Sequence, residues 1–168
     1  FLDGRTMPWA SKVNHLCYNQ EYVRSVSMIA AAYAAQGHKV LVVSNRVYFL
    51  KVCAQLVGDN AVHVTGDMDH AEREETIKQL KKDKNVLFGT QSIFSEGISI
   101  NELSCIVLAT PINNEPLLTQ LIGRIIRKEE GKLQPKVVDI HLKGKTASRQ
   151  NQARLGYYMK QGYEVTQL

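Results

Sequence analysis

Little in this 168-residue sequence could act as a covalent or metal staple. Cys17, Cys53 and Cys105 are its only cysteines. They lie far apart with no CxxC pair, so neither a disulfide framework nor a zinc site is indicated. Cys53 and Cys105 sit inside apolar runs, where a thiol packs as a small hydrophobe, and unpaired thiols fit a reducing cytoplasm. No apolar run is long enough to span a bilayer, no signal peptide is visible, and internal repeats and low-complexity tracts are lacking. The chain starts Phe1-Leu2-Asp3 without a methionine, which suggests a fragment of a longer protein.

What is present is the composition of an ordinary soluble globular domain, 44% hydrophobic and 22% charged, in a chain long enough to bury a core of its own. The net charge of +5 is unevenly spread. Residues 124 to 168 hold ten Lys/Arg (Arg124, Arg127, Lys128, Lys132, Lys136, Lys143, Lys145, Arg149, Arg154 and Lys160) against Glu129, Glu130, Asp139 and Glu164. A basic final third points to a polyanion such as nucleic acid or nucleotide, although many basic faces merely solvate.

Residues 1–18 contain Pro8 and Trp9 without a clear period and read as a lead-in segment or linker; the domain proper runs from 19 to 168. Over 19–36 Val23, Val26, Ile29, Ala30 and Tyr33 recur at helical spacing, and Gly37 stands where a helix-ending glycine belongs. An unbroken Val/Leu run over 39–44 reads as a buried strand. The alternation continues with helix 46–57 ending at Gly58, strand 61–65, helix 70–82, strand 85–90, strand 104–109, helix 115–128, strand 136–142, helix 146–161 and strand 163–167. In helix 70–82 the acids come early and the lysines late, as the helix dipole favours. Strands that read as continuous apolar runs between helices imply a three-layer α/β domain, its parallel sheet covered by helices on both faces. Ligands of such a sheet gather at the carboxyl ends of the strands.

Three stretches carry chemistry. In Thr119-Gln120-Leu121-Ile122-Gly123-Arg124-Ile125-Ile126-Arg127-Lys128, a helix sets Gln120, Arg124 and Arg127 within roughly 60° of one another around its axis, with Leu121, Ile122, Ile125 and Ile126 opposite. Two guanidiniums on an anchored helix suit phosphate oxygens, because the planar forks fix direction as well as charge; the alternative is an amphipathic surface helix whose arginines face water. At Ser44-Asn45-Arg46 a strand hands over to a helix, so backbone N–H groups, a hydroxyl and a guanidinium could meet a phosphate, or Ser44 or Asn45 could simply cap the helix. Val64-Thr65-Gly66-Asp67 is a second such junction, before a helix in which Arg73 reads as a structural ion-pair partner. The third stretch runs from Val86 to Ile100: Gly89-Thr90-Gln91-Ser92 closes a strand with small and hydroxyl-bearing residues that let a sugar-phosphate chain approach, or that simply form a turn with satisfied hydroxyls. Gly97 in Glu96-Gly97-Ile98-Ser99 permits an unusual backbone conformation or a close ligand.

In this order and at these distances, the three stretches resemble motifs IV, V and VI of the second RecA-like motor domain of superfamily 2 helicases and translocases. The resemblance covers the chain from about Gln20 onward. The Phe-Ser-x-Gly-Ile-Ser and Ile-Gly-Arg-x-x-Arg-Lys wording is most similar to phage UvsW-type branch-migration DNA helicases and their XPB-like relatives. The resemblance implies a RecA-like fold and a DNA helicase or translocase acting in unwinding, branch migration, or recombination and repair, with RNA not excluded. It implies nucleic-acid contacts at Ser44, Asn45, Arg46, Gly66, Thr90 and Gln91, and a nucleotide side at Gly97, Ser99, Gln120, Arg124 and Arg127. Ser99 departs from the aspartate that many members carry. Arg124 and Arg127 would be the arginine fingers that stabilise charge on the triphosphate, and Gln120 would couple nucleotide state to the domain interface.

The implied cofactor is ATP with Mg²⁺. The P-loop lysine and metal-holding acids are expected on an N-terminal RecA-like domain of the same protein, in a cytoplasmic setting (a host's, if phage-encoded) with no membrane partner. No DExD or DExH box occurs in this chain, which is expected to lack ATPase activity alone. Lys143-Gly144-Lys145-Thr146 imitates the end of a P-loop, but Asp139 occupies the place of the first glycine, inside a strand. Lys143 to Arg154 reads either as a solvated helix start capped by Thr146 or as a basic patch beside the nucleic-acid path. Tyr157, Tyr158 and Tyr163 are expected to pack in the core rather than stack on bases. A stand-alone nucleic-acid-binding module without an ATPase role is the rival function.

Overall fold

The computed structural model describes residues 8–92, 100–125 and 131–167. Eleven elements follow one another among them: α1 (Trp9–Tyr18), α2 (Gln20–Ala35), β1 (Val40–Val43), α3 (Val47–Val57), β2 (Ala61–Val64), α4 (His70–Lys82), β3 (Val86–Gly89), β4 (Cys105–Leu108), α5 (Glu115–Ile125), β5 (Lys136–Asp139) and α6 (Lys145–Lys160). The strands form one parallel sheet in the order β2-β3-β1-β4-β5.

Each strand is short, and the three central ones are buried along their whole length, which is why they read as unbroken apolar runs. Alternate side chains serve opposite faces. Val40, Val42, Val86, Phe88, Cys105 and Val107 pack with α1, α2 and α3 through Val13, Leu16, Tyr22, Val26, Phe49 and Leu50. Leu41, Val43, Leu87, Ile106 and Leu108 pack on the other side with Leu80 of α4, Leu118, Leu121, Ile122 and Ile125 of α5, and Tyr157 and Tyr158 of α6. This is the expected three-layer RecA-like architecture, with all three cysteines buried and unpaired.

Local signals explain most boundaries. Asn19 caps α2 through its side chain to the Tyr22 N–H at 3.1 Å. Asp69 caps α4, accepting from the Glu72 N–H at 2.8 Å while the Glu72 carboxylate accepts from the Asp69 N–H at 3.4 Å, a reciprocal capping box. Gly37, with φ of 101°, turns the chain out of α2 as its position requires.

Four expectations need correction. From Trp9 onward the lead-in segment is a helix, and it buries Val13, Leu16 and Cys17. Residues 163–167 form no strand; Tyr163 instead packs against Tyr158, the ring centroids 6.5 Å apart. Neither Ser44 nor Asn45 is the cap of α3, because Arg46 occupies that position. Thr146 does not cap α6: Gly144 does, with φ of 121°, and the helix begins at Lys145.

Candidate functional site

Register brings the strand-end residues to one edge. Val43 lies level with Gly89 and Leu108, and Val64 level with Gly89. Ser44, Thr65 and Thr90, each one residue on, therefore share the carboxyl edge. All three are buried, at 0%, 0% and 8% exposure, so their hydroxyls must be satisfied. Ser44 Oγ accepts from the Arg46 N–H at 3.1 Å and from the Thr110 hydroxyl at 3.1 Å. Thr90 Oγ1 lies 3.0 Å from Ser92 Oγ, and the Thr65 hydroxyl donates to Asp67. Backbone bonds continue the ladder, the Ser44 N–H to the Gly89 carbonyl at 3.3 Å and the Thr90 N–H to the Val64 carbonyl at 3.4 Å.

Charged groups stand around this row. Arg46 donates from Nε to Asn14 of α1 at 2.7 Å and from Nη1 to the neighbouring Asn45 at 2.8 Å. Amide partners leave the guanidinium's positive charge uncompensated by those contacts. Lys51 of α3 reaches Asp67 at 3.1 Å, tying α3 to the loop after β2. The Thr65 hydroxyl, and then Lys51, hold the Asp67 carboxyl down to about 2. Gly66 is exposed, and its carbonyl accepts from Arg73 Nη2 at 3.3 Å. Gln91 is half-buried beside Thr90.

On α5, Leu118, Leu121, Ile122 and Ile125 are buried, Gln120 is exposed and Arg124 is half-buried. The expected division into an apolar face and a polar face is thus present up to Ile125. Gln120 and Arg124 are one turn apart, about 6 Å along the axis. They lie on a different element from the Ser44–Thr65–Thr90 row, reached through the loop 109–114 that leaves the same sheet edge after β4. Gly97, Ser99 and Arg127 lie outside the described residues.

The helix α6 locks α5 in place, a feature that sequence reasoning missed. Arg154 is 2% exposed in its side chain and forks onto Asp139 of β5, Nε to Oδ2 at 2.8 Å and Nη2 to Oδ1 at 3.0 Å. Its remaining donors reach Asn151 at 2.8 Å and, at 2.7 Å, Asn113 in the loop before α5. The Tyr158 hydroxyl donates to Asp139 at 2.6 Å, and Tyr157 meets Thr119 of α5 at 2.5 Å. Burial, then the Asp139 charge, pushes the Tyr158 phenol far above its usual range. Arg154 therefore belongs to neither reading of the basic stretch, while Lys143, Lys145 and Arg149 are exposed. The signal lay in spacing: Ala147, Asn151, Arg154 and Tyr158 recur at helical intervals on one side.

The same network removes the P-loop imitation. A phosphate cradle would need a glycine at 139, and Asp139 is instead the strand-end partner of Arg154. No group of three or more His, Cys, Asp or Glu among the described residues could hold a metal ion. Of the expected nucleotide side, Gln120 and Arg124 are the members that fall among the described residues. No described helix is long and apolar enough to cross a membrane.

Comparison with known proteins gives the same outline. Residues 21–129 match the family model described as "Helicase conserved C-terminal domain". The chain is 38% identical over 166 residues to "Probable helicase D10" of Escherichia phage T5, covering 96% of this chain and 37% of that protein. It is 28% identical over 116 residues to "ATP-dependent DNA helicase uvsW" of Enterobacteria phage T4, covering 65% of this chain and 23% of that protein. The crystal structure of T4 UvsW superimposes with a TM-score of 0.76 over 93% of this chain and 36% of that one, at 18% identity. The chain thus spans about a third or less of these relatives.

Proposed function

Because this chain belongs to the helicase conserved C-terminal domain family, we propose that it is the second RecA-like motor domain of an ATP-dependent DNA helicase or translocase. The carrying observation is the shared carboxyl edge, where Ser44, Thr65 and Thr90 line up beside Arg46 and feed, through the loop after β4, into the helix that bears Gln120 and Arg124. Small hydroxyl-bearing strand ends let a sugar-phosphate backbone come close, and phosphate contacts of this kind fix register on a strand without reading its sequence. Ser44, Asn45, Arg46, Gly66, Thr90 and Gln91 form that track.

The nucleotide role falls to α5. Its buried face fixes the helix on the sheet, and α6 holds the loop before it through Arg154–Asn113 and the helix itself through Tyr157–Thr119, so Arg124 is presented from a fixed support. When ATP–Mg²⁺ is held by the N-terminal domain of the parent protein, it supplies the phosphoanhydride to be cleaved. Arg124 and Arg127 would place positive charge where negative charge develops on the phosphoryl oxygens, and Gly97, Ser99 and Gln120 would serve the nucleotide as the resemblance implies. Closing and reopening of the cleft between the two domains then moves the strand along the track.

The test is the DNA-stimulated ATPase of the full-length parent protein. Arg124→Ala and Arg127→Ala are expected to lower turnover by about 10³- to 10⁵-fold, the range for an arginine finger, while ATP binding survives. Unchanged turnover in both variants would leave α5 as an amphipathic support only. The same assay with RNA in place of DNA decides the nucleic acid.

A further inference from the structure

Two aromatic rings beside the proposed track stand in water with no role assigned so far. Tyr18 is the last residue of α1 and Tyr48 the second of α3. They are 68% and 59% exposed, and their ring centroids are 5.2 Å apart with a tilt of 31°. By contrast Tyr22, Tyr157 and Tyr158 are 1%, 6% and 8% exposed. Aromatic rings left adjacent in water form a contiguous apolar surface of the kind that contact sites use.

Their placement is fixed by the track itself. Asn14 and Tyr18 are four residues apart on α1 and so share one side of it. Asn14 accepts from Arg46 at 2.7 Å, and Arg46 and Tyr48 flank the first residue of α3. The guanidinium, the Asn14 and Asn45 amides and the two rings therefore form one patch, two residues from buried Ser44 at the end of β1.

The electrostatics select the partner. The guanidinium of Arg46 donates to amides, and the sole acid between residues 8 and 58 is Glu21. Across α1 from Arg46, Lys12 Nζ comes within 4.0 Å of where a side chain at Gly144 would begin, which adds it to exposed Lys143 and Lys145 at the start of α6. A guanidinium beside exposed flat rings, with further cations across α1, complements a polyanion that itself carries flat apolar faces. A single strand offers unstacked bases together with phosphates, whereas in a duplex the base faces are already covered.

We propose that Tyr18 and Tyr48 form a base-stacking platform that receives single-stranded nucleic acid where it meets the backbone track at Ser44, Asn45 and Arg46. The proposal rests on the reading of the carboxyl edge as a nucleic-acid track. It adds a site on α1 and on the side of α3 that strand-end chemistry does not reach, and it makes the domain prefer a single strand over a duplex.

The experiment measures binding of the full-length parent protein to a fluorescein-labelled oligodeoxythymidine, and to a duplex of equal length, across a salt series. Losing one stack costs roughly 5- to 150-fold in affinity. The Tyr18→Ala/Tyr48→Ala variant is therefore expected to lose about tenfold or more for the single strand, with duplex affinity and unfolding temperature unchanged. The slope of log affinity against log salt should stay that of the wild type, because no phosphate contact is removed. Tyr18→Phe/Tyr48→Phe should keep wild-type affinity. Wild-type affinity in the alanine variant, an equal loss for duplex, or a parallel fall in unfolding temperature each overturns the platform. Arg46→Ala separates the two ideas. If it weakens binding and flattens the salt slope while the alanine pair binds normally, the platform alone fails; if the wild type shows no salt-dependent binding, the track fails with it.

Discussion

Replacing Arg154 by methionine removes the charge and its fork of donors while keeping most of the apolar stem, and it tests whether α6 is pinned as the structure shows. The guanidinium is 2% exposed and its Asp139 partner 11%. The pair spans β5 and α6, and Asn113 and Asn151 take the other donors. Breaking a buried pair from one side costs about 3–5 kcal/mol, because the surviving charge is left without compensation. In a domain of this size each kcal/mol is worth about 2–4 °C, so Arg154→Met should lower the melting temperature by about 6–20 °C. That is a large part of the roughly 5–15 kcal/mol that holds a domain folded.

The assay is thermal and urea unfolding of the 168-residue chain, each followed by circular dichroism. Asp139→Asn should lose a comparable amount, since it strands the arginine and weakens the acceptor for the Tyr158 hydroxyl. The double variant Arg154→Met/Asp139→Leu should be less destabilised than the sum of the single losses by about 1 kcal/mol or more, because neither charge is then left alone. If Arg154→Met unfolds within about 0.5 kcal/mol of wild type with the same urea slope, the guanidinium is solvated and the account of α6 as the lock on α5 is wrong.

Three further outcomes follow from the same geometry. Asp69→Ala removes the reciprocal cap of α4 and should cost about 1 kcal/mol, read as a lower urea midpoint without a change in slope. Burial, and then nearby Lys136, push buried His38 below its ordinary value of 6.5. The imidazole therefore takes up a proton only on unfolding below that pH, and stability should fall as pH drops from about 6.5; His38→Gln should flatten that acid slope in a melting-temperature series. Lys145→Ala in the parent protein should leave nucleotide affinity within about twofold of wild type, because Asp139 stands where a P-loop needs its first glycine. A lost nucleotide signal there would return residues 139–146 to the active site.

The sequence by itself determined the layers. Runs such as Val40-Leu41-Val42-Val43 are buried on both faces and can only be interior parallel strands once helices alternate with them. The spacing of Leu121, Ile122 and Ile125 sets the inward side of α5 without reference to the rest of the chain. Gly37 after α2 and Gly58 after α3 mark helix ends through bonds made within a few residues, and such local chemistry survives in any context. The strand-end hydroxyls were legible for the same reason, since a strand followed by a helix always delivers its last residues to the carboxyl edge.

Tertiary structure decided what depends on partners distant in sequence. Residues 9–18 show no clear period in sequence and become a helix because Val13, Leu16 and Cys17 find a core to enter. Residues 163–167 look like a strand yet are none, because a strand exists through a neighbour's hydrogen bonds and Tyr163 packs on Tyr158 instead. Arg154 reads as one more surface cation until Asp139, fifteen residues away, and Asn113, forty-one away, close around it. Tyr18 and Tyr48 become a pair only when α1 and α3 enter the same core. Burial and pairing are properties of the assembled surface, and no local pattern in the chain encodes which distant side chain will be there to meet them.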